Sequence, residues 1–244
     1  MPWSWQAVVK LRVVGMTEQF EFDPAAKEGV YKAIFERRDM RHFRNDPIDE
    51  QLIERLLHAA HSAPSVGLMQ PWRIVRVLRP ELRGLLHQVV ERERIKTAEA
   101  MGERSDEFMQ LKVQGILDCG EVWVVTLMEQ RERHVFGRRT LPDMDLASAS
   151  CAIQNIWLAA RAEGLGMGWV SIFDPQDVRD VLSIPEGAEP IGILCLGHVD
   201  EFYDQPMLIK EGWARRGKLT DYVMCDTWEP DKAARAQQQW DKKL

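Results

Sequence analysis

A long apolar helix pattern over residues 145–163 is followed at once by a glycine-rich β pattern, and that order constrains the fold more than any other stretch. DLASASCAIQNIWLAARAE places apolar residues at three- and four-residue spacing, Gly164 offers a C-terminal stop, and GMGWVSIF over 166–173 reads as a strand. A dinucleotide fingerprint needs its glycines between a strand and the helix that follows. Here the helix comes first, so a Rossmann arrangement is excluded. Glycine on a strand allows a flat ligand to approach closely, and Ser171 would present a small donor and acceptor there. The same residues also fit a plain helix stop and core strand. The small residues Ala147, Ser148, Ala149, Ser150 and Ala152 in the helix would let another backbone come near.

The remaining periodicities fill in the architecture. Residues 25–37 set Val30, Ile34 and Phe35 at helical spacing, and 49–63 do the same with Leu52, Ile53, Leu56 and Leu57 between Pro47 and Pro64. WRIVRVL at 72–78 alternates like a strand with one wetter face, and EVWVVTLM at 121–128 reads as a strand covered on both faces. IGILCLGHV at 191–199 is a further β run. Residues 80–116 are helical and highly charged, which suits either a solvated helix pair or a mobile cover over a site. Helices alternating with four or five strands, without a linker or repeat, indicate one α+β domain.

Composition excludes several function classes. A net charge of -6 over 244 residues gives no overall surface for nucleic acid, so any basic site is local. Cys119, Cys151, Cys195 and Cys225 are scattered without CxxC pairing, and the six histidines show no metal spacing, so free, mostly buried thiols in a reducing compartment are expected and no metal site. No run approaches the roughly 20 apolar residues of a membrane span, and Lys10 and Arg12 interrupt the mildly apolar opening, so a cytoplasmic protein is expected. Residues 1–24 read as an extension containing a second candidate start at Met16, and 229–244 as a charged tail.

Four local constellations carry chemistry. Arg37, Arg38 and Arg41 surround Asp39 at the expected end of the first helix; such guanidiniums suit a phosphate, though a solvated basic turn has the same composition. Asp39 should stay ionised as an acceptor or base, or simply neutralise its neighbours. The loop Ala63–Trp72, with two prolines and Gly67, is either a ligand-contacting loop or a connector. Arg215 and Arg216 form another pair, either solvated or completing an anion site. No GxSxG and no Ser/His/Asp arrangement is legible.

Taken together, ERRDMRHF, AAHSAPSVGLMQPW, PDMDL with CAIQNIWLAARAEGLGMGWVSIF, and LCLGHVD resemble the nitroreductase superfamily, and within it the branch of 5,6-dimethylbenzimidazole synthases. The resemblance runs from about Ala25 to Trp228. It implies a nitroreductase-like α+β fold over 25–228, with a central, mostly antiparallel sheet flanked by helices, a helical lid at about 90–115, and a homodimer with flavin sites between subunits. Ordinary members carry Ser or Thr where this chain has Asp39; the synthase branch carries Asp there, paired with a serine matching Ser171. That branch consumes its flavin: reduced FMN reacts with O2 and is broken down to 5,6-dimethylbenzimidazole with release of erythrose 4-phosphate.

By this resemblance Asp39 and Ser171 are the catalytic residues. Arg37, Arg38, Arg41 and Arg216 look like phosphate ligands, with Asp39 and Met40 in the same clamp. Ser65, Gly67, Met69, Pro71 and Trp72 look like flavin-loop residues, and Gly168, Trp169 and Ser171 lie on the strand under the flavin. The GKL after Arg216 departs from the family pattern, which has a proline before the leucine. A separate NAD(P)H-dependent reductase would supply reduced FMN. The rival within the same fold is an NAD(P)H-dependent nitro- or quinone reductase that recycles FMN, and Asp39 argues against it.

Overall fold

The computed structural model describes residues 20–109 and 113–228, so most of the expected N-terminal extension and all of the tail from 229 lie outside the described residues. Lys27–Met207 form one compact unit; of the described residues, 20–26 and 208–228 belong to a second. The helices are α1 (Pro24–Glu36), α2 (Glu50–His61), α3 (Pro80–Ala100), α4 (Ser105–Met109), α5 (Gly115–Asp118), α6 (Met144–Ala162), α7 (Pro175–Leu182) and α8 (Met207–Lys210). The strands are β1 (Trp72–Arg76), β2 (Glu121–Leu127), β3 (Gly166–Val170) and β4 (Glu189–Gly197). They form one sheet in the order β1-β2-β4-β3, with every neighbouring pair antiparallel.

Side-chain alternation along the strands divides the core into two layers. Trp123, Val125 and Leu127 of β2 join Leu194, Leu196 and Met167 on one face, where Leu56 and Ala60 of α2 and Ile153 and Ile156 of α6 cover them. Val122 and Val124 point the other way, into a cluster with Ile193, Cys195, Leu86, Val89 and Val90 of α3 and Val178 of α7. Every residue of β2 is buried, which is why its sequence is continuously apolar rather than alternating. Where the β2–β4 register shifts between Val125 and Thr126, β4 carries the extra residue, Ile191, and Thr126 faces Pro190, which has no N–H to give to the ladder.

The long charged segment is therefore neither a solvated helix pair nor purely a cover. Its first part is a core helix, α3, whose Leu86, Val89 and Val90 face the sheet. The chain breaks after Ala100, turning at Gly102 with φ +58 before α4. The small residues of α6 are also used within the chain: Ser148, Ala149 and Ala152 are buried, the Ser148 hydroxyl accepts from the Val66 N–H, and Asn155 donates to the Ala59 carbonyl of α2. Of the four free cysteines, Cys119 and Cys195 are buried while Cys151 and Cys225 are exposed, fewer buried than expected.

Local chemistry marks the ends of the elements that frame the site. Asp49 caps α2 by accepting from the N–H groups of Gln51 and Leu52. At the end of α6, Gly164 takes φ +77 and the Leu165 N–H returns to the Ala160 carbonyl at 2.8 Å, so the chain turns directly into β3. Because Ile156 is fully buried between α2 and the sheet, Ile156→Ala is expected to destabilise the protein by about 2–5 kcal/mol in chemical denaturation, with little change in the slope.

Candidate functional site

β3 is the last strand of the sheet, and its outer edge is taken by the segment that follows α1. Asp39 forms a parallel bridge with Met167, and the Met40 N–H donates to the Met167 carbonyl at 2.9 Å. Glycine at 168 makes this possible, because a Cβ there would stand 2.3 Å from the Met40 carbonyl oxygen. The glycine admits the chain's own backbone, and it also lines the cavity beside Asp39. Met40 itself is buried, so it supports the turn from below.

That docking places the Asp39 side chain over β3. Its Oδ1 accepts from the Trp169 N–H at 3.0 Å, and its Oδ2 lies 3.4 Å from Arg41 Nη2. The carboxylate keeps 37% of its side-chain surface open to a cavity. On all other sides protein displaces water, and this burial raises its pKa above the ordinary carboxylate value; the charges of Arg41 and Arg37 and the Trp169 N–H oppose the shift without cancelling it. An acid raised in this way is a stronger base at neutral pH than an ordinary aspartate. Behind it, the Tyr203 hydroxyl accepts from the Arg41 N–H at 3.4 Å and lies 2.7 Å from His42 Nδ1.

The three arginines have different roles. Arg37 lays its guanidinium over the Trp157 ring, 4.6 Å from the centroid. The guanidinium N–H groups meet no acceptor among the described residues, while the Arg37 backbone N–H closes the helix on the Ala33 carbonyl. Arg38, expected to be a phosphate ligand, instead points Nη1 at the carbonyls of Phe35 and Arg37 and Nη2 at the Asp204 carbonyl. Those acceptors orient the guanidinium toward the backbone, making Arg38 a clip on the turn. Arg41 faces the cavity beside Asp39.

The cavity measures about 110 Å³ and brings together Asp39, Met40, Arg41, Gly168, Trp169 and Ser171. Phe43, Val113, Gly115, Val170, Ile172 and Cys195 complete its walls, and none of them has a role in a site that is legible in the sequence. A second hollow of about 370 Å³ meets the first at Ser171; its Arg131 and Arg138 both hold the buried carboxylate of Asp145, at 2.9 and 3.0 Å. The loop residues Ser65, Gly67, Met69, Pro71 and Trp72 do not reach either cavity. Met69, Pro71 and Trp72 are buried, Trp72 packing into the core at the start of β1, while Ser65 accepts from the Gln70 N–H. Gly67, Leu68 and Gln70 all have φ near +50, a strained run for two non-glycine residues, and Leu68 is exposed. Arg216 is exposed in the second unit.

An antiparallel α+β sheet whose edge holds an arginine- and aspartate-bearing turn has a counterpart among known proteins. Residues 34–198 match the Nitroreductase family, and the chain belongs to that family. More particularly, it is 41% identical over 198 residues to a 5,6-dimethylbenzimidazole synthase of Rhodospirillum rubrum, covering 80% of this chain and 93% of that protein. It is 38% identical over 195 residues to a 5,6-dimethylbenzimidazole synthase of Rhodobacter capsulatus, covering 79% and 94%. Among solved structures, iodotyrosine deiodinase bound to FMN and 3-iodo-L-tyrosine superposes with a TM-score of 0.64 at 20% identity, over 82% of this chain and all of that one. The NADPH:FMN oxidoreductase of Vibrio harveyi complexed with NAD+ gives 0.62 at 20% identity, over 88% and 85%. These likenesses establish the same fold. No helix among the described residues is long and apolar enough to cross a membrane.

The raised pKa of Asp39 has a stability consequence whose sign is fixed. The folded state holds the proton more tightly than the unfolded chain, so the stability Asp39 contributes is full below the ordinary carboxylate range and is lost as pH rises through its raised value. Asp39→Asn, which keeps an oxygen for the Trp169 N–H, should therefore melt like the wild type near pH 3 and increasingly above it toward pH 8, the range spanning an ordinary aspartate of about 4. Scanning calorimetry across that range checks this; a variant less stable than wild type at neutral pH would contradict it.

Proposed function

We propose that the chain is a 5,6-dimethylbenzimidazole synthase, which takes reduced FMN and O2 to 5,6-dimethylbenzimidazole and erythrose 4-phosphate. The observation that carries this reading is the carboxylate of Asp39, seated on β3 within a guanidinium-rich turn and raised in pKa by burial. Three curated relatives with that activity in their names, at 41%, 38% and 35% identity, support it.

The residues present fit FMN. Arg37 offers in-plane donors that no described residue occupies, suited to a phosphate. Arg41 and Asp39 offer a donor and an acceptor for a polyhydroxyl chain, and Phe43, Trp169 and Val113 offer apolar walls for a ring. When bound, the flavin supplies the redox chemistry and the reactivity toward O2. Asp39 accepts protons during fragmentation at its carboxylate, which the Trp169 N–H on Oδ1 and Arg41 on Oδ2 hold in place. Ser171, at the junction of the two hollows, orients Asp39 or the flavin edge. Arg216 is assigned to the phosphate by resemblance alone.

The reading extends to assembly and delivery. A cavity of about 110 Å³ falls below the roughly 300 Å³ at which pockets for drug-sized ligands begin. A second copy of the chain would complete the site with the exposed tip of its 65–70 loop, Gly67 and Leu68, making the working unit a homodimer in the cytoplasm. Residues of the 90–115 segment, of which Val113 lies in the cavity wall, would act as a lid that excludes bulk water. A separate NAD(P)H-dependent flavin reductase would deliver reduced FMN.

Aerobic incubation of the purified protein with FMN and a chemical reductant, followed by mass spectrometry, is expected to yield 5,6-dimethylbenzimidazole, and Asp39→Asn to bind FMN yet yield none. Sustained NADH oxidation with the flavin left intact would instead identify a flavin-recycling reductase. Reoxidised FMN without either activity would identify a carrier.

A further inference from the structure

We infer that Trp157 is a positioning residue that aims Arg37 at the anionic end of the ligand and so sets the preference for a phosphorylated flavin over the same flavin without phosphate. The inference rests on the flavin reading above, and concerns a residue of α6 that does not line the cavity.

One side chain holds Arg37 at both ends. The guanidinium carbon of Arg37 lies over the Trp157 ring, 4.6 Å from its centroid, and the indole N–H donates to the carbonyl of Arg38 at 3.0 Å, fixing the backbone next to Arg37. Stacking occupies only the face of a guanidinium, so its in-plane fork stays free for a bidentate acceptor. An arginine held by a carboxylate would have that fork filled. Arg161, nearby on the same helix, shows the contrast: it stacks on Phe202 at 4.2 Å but its Nη2 is taken by Glu36.

Trp157 is itself braced. Its ring lies 6.5 Å from that of Trp169, whose backbone N–H holds Asp39 and whose indole N–H reaches the Ile191 carbonyl at 3.3 Å. Trp169 fits only because residue 192 is glycine; a Cβ there would stand 2.3 Å from its indole nitrogen. Two indoles thus tie the phosphate-directed arginine and the carboxylate to one rigid support, so the two ends of the ligand are held in a fixed relation.

The test compares dissociation constants for FMN and riboflavin, read from quenching of flavin fluorescence, in the wild type, Arg37→Ala, Trp157→Phe and Trp157→Leu. Melting curves by circular dichroism verify folding. The wild type should prefer FMN, and Arg37→Ala should lose most of that preference. Trp157→Leu should weaken FMN binding about tenfold with riboflavin binding unchanged, while Trp157→Phe, which keeps a ring face, should retain most of the preference. If Trp157→Leu does not fold, Trp157→Met, of similar reach but without a ring, makes the same comparison. A Trp157 variant that keeps the full preference, or weakens both ligands equally, would overturn the inference and leave a packing residue. A wild type that binds the two ligands alike would overturn the phosphate reading itself, and this inference with it.

Discussion

The site depends on one close approach: the carbonyl of Met40 lies against the backbone of β3 at Gly168, where no side chain fits. That contact lets the segment after α1 pair with the edge of the sheet, and the pairing leaves the Trp169 N–H directed at a side chain rather than at a neighbouring strand. An unpaired edge strand is a liability that folds cover in many ways. Here the cover is also the functional turn. The Arg37–Arg41 sequence is thereby attached to the edge of the central sheet by backbone pairing.

Electrostatics then separates the residues of the turn. Three guanidiniums close together repel unless each finds a different partner, and they do: an aromatic face for Arg37, backbone carbonyls for Arg38, a carboxylate for Arg41. Asp39 experiences two opposing effects, loss of water and nearby positive charge, and the loss of water is larger. The result is an acceptor that takes up a proton more readily than an exposed aspartate. Such a group suits proton transfer better than ion pairing.

Much of the fold was legible because periodicity reports burial. The continuous apolar run of β2 identified a strand covered on both faces, and the helix read over 145–163 forms over Met144–Ala162. Residues 80–116 were harder, since dense charge obscured Leu86, Val89 and Val90 on the inward face of α3. α7 was missed, although Asp174 as N-cap and Pro175 at the first turn were visible signals; its single buried residue, Val178, was too weak a pattern. At the site, residue types in the Arg37–Arg41 turn pointed to an anion, but their division of labour was hidden. Whether an arginine faces a ligand or a carbonyl depends on Trp157 and Asp204, over 100 residues away along the chain, and local spacing carries no signal of either. Tyr203 was invisible for the same reason.

The central claim is that Asp39 is a partly desolvated carboxylate poised to take a proton. It is tested most directly by carbon-13 NMR of the side-chain carboxyl in aspartate-labelled protein, with the Asp39 resonance identified by its loss in Asp39→Asn. The account predicts a titration midpoint above the value near 4 of an ordinary aspartate. A midpoint at or below that value would mean that the guanidiniums hold the group as a fixed anion, and the proposed role of Asp39 as proton acceptor would be wrong.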